Sequence, residues 1–151
     1  MSLELRDETY DGADAQLLIE ALQAEYIVRY GGPDETPVDP AQFAPPHGLF
    51  VIGYVDGAAM AMGGLRRHAD GEVEIKRMYV APAARRQGFS RQLLAALEDR
   101  ARALGAARVV LETGQNQPEA IALYESAGYA PIAGFGHYRD APLSLSFEKR
   151  L

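Results

Sequence analysis

The chain opens with a short alternation of apolar and polar residues around Leu3 and Leu5, the period of a strand. From Asp11 to about Arg29 the period lengthens. Leu17, Leu18, Ala21, Leu22 and Ile27 recur at helical spacing, which predicts an amphipathic helix with those residues inward. Gly31-Gly32-Pro33 stops it. Residues 31–48 hold Pro33, Pro37, Pro40, Pro45 and Pro46, so a long loop is expected there, with room for one helical turn. Two apolar runs, Leu49 to Val55 and Ala58 to Arg66, flank Asp56-Gly57, the strongest hairpin signal in the chain. Asp70-Gly71 turns the chain again, into a strand over Val73 to Val80, and the three strands form an antiparallel meander.

Ala81-Pro82 ends the meander. A helix is expected from about Gly88 to Leu104, with Leu93, Leu94, Leu97, Ala101 and Leu104 on one face and Gly105 closing it. Arg108 to Glu112 is short and β-branched, the pattern of a central buried strand. The strand–helix–strand crossover makes residues 73–80 and 108–113 parallel neighbours. Pro118 suits the first turn of a last helix over residues 118–127, ended by Gly128. Tyr129 to Phe135 and Leu143 to Lys149 read as two closing strands. The order β-α-β-β-β-α-β-α-β-β predicts one α/β domain over residues 1–151, built on a mixed, mostly antiparallel sheet with one parallel pair.

Composition narrows the chemistry. With 151 residues, 48% hydrophobic and 24% charged, the chain is the size and balance of one globular domain. No apolar run approaches the roughly 18 residues of a membrane helix, and the amino terminus lacks the basic-then-apolar order of a signal peptide. The cytoplasm is the default compartment, with no membrane partner. The absence of cysteine excludes disulfides, thiolate nucleophiles and iron–sulfur sites. His47, His68 and His137 match no metal-ligand spacing, so no metal is expected. The net charge of −6 argues against general nucleic-acid binding. The charge is uneven, however. Residues 1–50 hold ten acidic residues against Arg6 and Arg29, while residues 81–110 hold six arginines against Glu98 and Asp99. A local arginine cluster suits a small phosphorylated ligand.

That cluster lies where a strand ends and a long helix begins: Met78-Tyr79-Val80-Ala81-Pro82-Ala83-Ala84-Arg85-Arg86-Gln87-Gly88-Phe89-Ser90-Arg91. The first N–H groups of a helix have no internal partner, and with the helix dipole they attract anions. Gly88 allows close backbone approach, Ser90 offers a hydroxyl, and Arg85, Arg86 and Arg91 add charge. No lysine follows Gly88, so this is not a Walker loop, and a single glycine is not a dinucleotide fingerprint.

The order of elements and this loop resemble the GNAT N-acetyltransferases, which use acetyl-CoA. The loop Arg85-Arg86-Gln87-Gly88-Phe89-Ser90 is similar to the family's Arg/Gln-x-x-Gly-x-Gly/Ala, with Ser in the last small position. Glu74 to Pro82 resembles the family's fourth strand and its exit. Ala120-Ile121-Ala122-Leu123-Tyr124-Glu125-Ser126-Ala127-Gly128-Tyr129 resembles its Ala-x-x-x-Tyr-x-x-x-Gly-Tyr/Phe signature. The resemblance spans roughly residues 49–149. It implies a parallel strand pair splayed for acetyl-CoA, helices on both faces, and a pantetheine arm that pairs with the backbone of Met78, Tyr79 and Val80. It places the diphosphate on the N–H groups from Arg86 to Arg91. Where the family has Asn, this chain has Gln117, with Asn116 just before it, and either amide could contact the cofactor.

Aminolysis of a thioester needs a neutral amine, a site for the oxyanion and a proton for the leaving thiolate. The resemblance implies Tyr124 as the acid, a backbone N–H near Tyr79 or Val80 for the oxyanion, and Glu74 as a candidate base. The acceptor would be framed by the first helix, the loop after it and the loop between the last strands, with Glu25, Arg29, Tyr30, Phe135, His137 and Tyr138 as candidates. Arg29 could clamp a carboxylate; Glu25 could hold an amine. The expected activity is acetyl transfer to the primary amine of a small molecule or amino acid. A protein-modifying enzyme and a non-catalytic acetyl-CoA-binding module are the alternatives. Homodimers are common in the family, and no sequence feature identifies an interface.

Overall fold

The computed structural model describes all residues, 1–151. Seven strands form one sheet: β1 (Glu4–Glu8), β2 (Gly48–Val55), β3 (Ala58–Ala69), β4 (Glu72–Val80), β5 (Arg108–Gly114), β6 (Ala130–Ile132) and β7 (Ser144–Arg150). Three α-helices connect them: α1 (Ala13–Tyr30), α2 (Phe89–Ala103) and α3 (Pro118–Ser126). The sheet order is β1-β2-β3-β4-β5-β7-β6. Only β4 and β5 run parallel, as the crossover through α2 requires. No helix is long and apolar enough to cross a membrane.

Alternation along the strands sorts the core into two layers. Val51, Leu65, Val73, Ile75, Val109 and Leu111 face α2, whose Leu93 and Leu97 are fully buried against them. Burying a leucine this completely contributes about 1.5–3 kcal/mol. Phe50, Ile52, Tyr54 and Met62 face the other way, against Leu18 and Leu22 of α1. This second layer corrects the expected face of α1. Leu17 and Ile27 are 63% and 51% exposed, and Ala15, Leu18 and Leu22 point inward instead. Those three follow one another at i, i+3 and i+7, so they lie on a single stripe; Leu17 and Ile27 fall beside it. Strand β6 is also shorter than its sequence pattern. It keeps only Ala130–Ile132 of the stretch from Tyr129 to Phe135, and Tyr129 instead closes α3 by donating its N–H to the Tyr124 carbonyl.

Two irregularities in β4 shape the site. Lys76 pairs with Gly64 of β3 and Tyr79 pairs with Met62, so Arg77 and Met78 together oppose Gly63. This bulge puts Arg77 in the left-handed region, with φ +59°. On its other edge β4 pairs with β5 only from Glu72↔Arg108 to Ile75↔Leu111. Beyond Ile75 the two strands part and leave a notch between Lys76–Val80 and Glu112–Gly114.

Candidate active site

The notch exposes strand backbone with no neighbour. The Ala81 N–H bonds to the Met60 carbonyl of β3, so the Val80 carbonyl, in the same peptide unit, points the opposite way, into the notch. Arg85 Nε donates to it at 2.9 Å. The Arg85 guanidinium also grips Glu25 of α1, with its N–H groups 2.8 and 3.1 Å from the two carboxylate oxygens. Behind them, burial and the Glu25 charge push the Tyr79 phenol up, against the pull of Arg85.

The basic loop runs from the end of β4 to α2. Ala84 and Phe89 are buried with Val55 and anchor the loop at both ends. Between them Arg86 and Gly88 adopt left-handed backbone, φ +63° and +78°. Gly88 is the N-cap of α2 and offers no side-chain cap, so the N–H groups of Phe89, Ser90 and Arg91 are available. Nothing stands within 4 Å of where a Cβ on Gly88 would be. Open space over unpartnered donors, flanked by exposed Arg86 and Arg91, fits a diphosphate.

A cavity of about 370 Å³ continues from the notch. Its wall on the α3 side carries Tyr124, a buried tyrosine whose hydroxyl lies 3.5 Å from Met78 Sδ on β4. Burial alone pushes that phenol up, so it stays protonated at neutral pH. On the β5 side stands Glu112. Its side chain is only 4% exposed; Oε2 accepts the Tyr138 N–H at 3.2 Å, and Oε1 has no hydrogen-bond partner. Burial raises the Glu112 carboxyl above its ordinary value. Glu74 and Asp34 add to the rise, and Lys76, 3.8 Å away, and the Tyr138 N–H oppose it.

Two loops roof the far end. The segment after α1 is pinned by Asp34, which pairs with Arg77, accepts from Thr36 N and Oγ1, and lies 3.9 Å from Lys76 Nζ. Burial works to raise the Asp34 carboxyl, but Lys76, Arg77 and the Thr36 hydrogen bonds hold it below the ordinary value. The loop between β6 and β7 reaches across to it: the Glu35 N–H donates to the Tyr138 hydroxyl at 2.7 Å. Tyr138 therefore ties the roof to Glu112 through its two ends.

Residues 16–129 match the Acetyltransferase (GNAT) family. The chain belongs to the GNAT acetyltransferase family. It is 37% identical over 135 residues to the IAA acetyltransferase of Azospirillum brasilense, covering 89% of this chain and 88% of that one. Among solved structures, one described as an acyl-CoA N-acyltransferase from Klebsiella pneumoniae is 33% identical, covers 99% of this chain and 97% of its own, and superposes with a TM-score of 0.87. A GNAT acetyltransferase from Elizabethkingia anophelis with acetyl-CoA bound shares the fold at 16% identity, with a TM-score of 0.73 over 99% of this chain and 98% of that one. The protein is an acyltransferase.

The expected GNAT site residues fall partly on the cavity wall and partly off it. Met78, Gln117, Tyr124, Tyr30 and Tyr138 line the cavity. Gln117 and Asn116 separate in role. The Asn116 amide donates to the Arg29 carbonyl at 2.8 Å, whereas the Gln117 amide stands at the wall and accepts from the Tyr30 hydroxyl at 3.0 Å. Phe89 is a core side chain, so only its N–H faces the phosphate loop.

Glu25, Arg29, Phe135 and Glu74 are off the wall. Glu25 holds Arg29 and Arg85; Arg29 also donates to the Asn116 carbonyl at 2.7 Å; Phe135 packs on His68, ring centroids 5.0 Å apart. Glu74 is buried in an ion pair with Arg66 at 2.9 Å, with Lys76 Nζ 3.9 Å from its other oxygen. Sequence reasoning missed Asp34, Lys76, Arg77 and Glu112. Two consecutive cations inside an apolar strand, and a glutamate closing Val109-Val110-Leu111, were the available signals. Both faces of a central strand are covered, so such charges must be buried with partners.

Proposed function

We propose that this protein transfers the acetyl group of acetyl-CoA to the primary amine of a small molecule by direct attack within a ternary complex. The observation that carries this reading is the placement of a protonated phenol, Tyr124, and a carboxylate with one oxygen without a hydrogen bond, Glu112, on the walls of one cavity at the splay of β4 and β5. Acetyl-CoA supplies the activated thioester. The N–H groups from Arg86 to Arg91 bind its diphosphate, with Arg85, Arg86, Arg91 and Ser90 around them and Gln87 on the rim. The backbone of Met78, Tyr79 and Val80 pairs with the pantetheine arm, and Arg85 must let go of the Val80 carbonyl for that pairing. Gln117 takes the amide contact expected of Asn.

Glu112 accepts the proton that an ammonium must lose before it can attack. Tyr124 gives a proton to the departing thiolate. A backbone N–H at the end of β4 holds the oxyanion. Glu112 replaces Glu74 as the base in this reading, because Glu74 is held in its ion pair with Arg66 and is not on the cavity wall. The clasp between Glu35 and Tyr138 favours a small acceptor over a peptide, which needs an open groove.

The test pairs calorimetric titration with acetyl-CoA and turnover read by thiol release across an amine panel. Saturable 1:1 binding is expected, with turnover lowered about 10–100-fold in Tyr124→Phe at nearly unchanged acetyl-CoA affinity. Wild type that is folded yet binds no acetyl-CoA would sink the proposal. A Tyr124→Phe variant with full turnover, chemistry limiting, would remove the acid role.

A further inference from the structure

We infer that the acceptor is a cationic amine without a carboxylate, a small monoamine or diamine, selected by Glu35 and Glu112. The inference rests on the acetyl-transfer reading and names its second substrate. It follows from which charges on the cavity wall are already matched.

The two cations on the wall are both held. The Arg77 guanidinium grips Asp34. Lys76 Nζ bonds to Thr36 Oγ1 at 3.2 Å and has three carboxylates close by: Asp34 and Glu74 at 3.9 Å and Glu112 at 3.8 Å. A substrate carboxylate brought to Lys76 would meet all three, and like charges at that range repel strongly in a dry site. The one free donor, Arg77 Nε, belongs to a guanidinium that Asp34 already neutralises, and it suits a neutral oxygen. Arg29, the residue that could have clamped a carboxylate, is committed to Glu25 and to the Asn116 carbonyl, outside the cavity.

The carboxylates are less completely matched. Glu35 lies exposed on the roof at the cavity wall and makes no ion pair. Glu112, deeper in, keeps Oε1 without a hydrogen-bond partner although the side chain is almost fully buried. Tyr26 and Tyr30 also line the cavity, and aromatic rings attract cations. An ammonium therefore meets an unpaired carboxylate at the mouth and, at depth, a Glu112 oxygen that has no hydrogen bond and shares Lys76, 3.8 Å away, with Asp34 and Glu74. A carboxylate meets no uncommitted cation. The proton released on the way to the neutral amine goes to Glu112.

Matched pairs that differ by one carboxylate test this: tyramine with tyrosine, histamine with histidine, putrescine with ornithine. In the full-length protein with acetyl-CoA, at least one amine should exceed its amino acid tenfold or more in kcat/KM, with no pair reversed. Glu35→Gln should shrink that ratio several-fold, and Glu35→Lys should shift it further toward the amino acid, with the melting midpoint unchanged because the Glu35 side chain is exposed and only its backbone N–H is bonded, to Tyr138. Calorimetry of the same pairs on CoA-loaded protein gives a readout without turnover, and the amines should bind tenfold tighter. Amino acids bound or turned over as well as the amines, or no binding by any pair to protein that does bind CoA, would overturn the selection alone. Failure to bind acetyl-CoA at all would overturn the acetyl-transfer reading and this inference with it.

Discussion

The two ends of the cavity are built in opposite ways. The cofactor end is local: β4, the loop from Ala81 to Gly88 and the first turn of α2 are consecutive, and their donors are backbone N–H groups aimed by helix geometry. The acceptor end is assembled from distant pieces. Asp34 meets Arg77, Glu35 meets Tyr138, and Tyr138 meets Glu112, across separations of 43, 103 and 26 residues. A backbone-built site tolerates most side-chain change, which suits a cofactor group that does not vary, such as the proposed diphosphate. A site made of polar and charged side chains from two loops and two strands can be retuned by a single substitution, which suits the half proposed to choose the acceptor.

Glu112→Gln should break the acceptor end hardest. A loss in kcat of about 10²–10⁴ is expected from removal of a positioned base, with acetyl-CoA affinity within twofold by calorimetry. Because the Glu112 carboxyl is raised and must be ionised to take a proton, kcat should fall as pH drops through a midpoint above 4.5. That limb should be missing from Glu112→Gln. Gly88→Trp is the counterpart at the cofactor end. It places a bulky side chain in the open space over the N–H groups and a non-glycine residue at φ +78°. Acetyl-CoA affinity should drop tenfold or more, with about 1–2 kcal/mol lost in stability.

Gly114→Ala probes the seam between the ends. A Cβ there would stand 1.8 Å from the Tyr30 hydroxyl, so the ring must swing off Gln117. Several-fold weaker binding of both substrates is expected with little change in melting temperature, since the half-buried Tyr30 ring moves rather than the backbone. Tyr138→Phe should have the smallest effect. It removes the acceptor for the Glu35 N–H but leaves the Tyr138 N–H on Glu112, so KM for the amine should rise about two- to threefold with kcat retained. An equal loss in kcat would mean that the hydroxyl also positions the base.

Much of the fold was legible because its signals are local. Asp56-Gly57 and Asp70-Gly71 mark turns with positive φ, and the apolar face of α2 repeats at 3.6 residues. The helix α1 was read less well because Leu17 and Ile27 are apolar but exposed, and hydrophobicity alone does not say which side meets the sheet. At the site, Tyr124 and the loop from Arg85 to Arg91 were legible as motifs. Glu74 has the strand position of a candidate base, yet its cross-strand neighbour Arg66 is set by the register between β3 and β4. Glu112 escaped notice for the converse reason: it looks like the polar end of a buried strand until β4 diverges from it.

The sequence by itself determined the order of elements, the parallel crossover and the glycine turn that opens α2. These depend on turn residues, periodicity and chain handedness, all of which act within a few residues or one connection. Only the tertiary structure decided which charges are matched. Whether Arg29, Lys76, Arg77, Glu25, Glu74 or Glu112 is free for a substrate depends on partners up to 87 residues away and on burial, which sets the strength of each pairing and raises the Glu112 carboxyl.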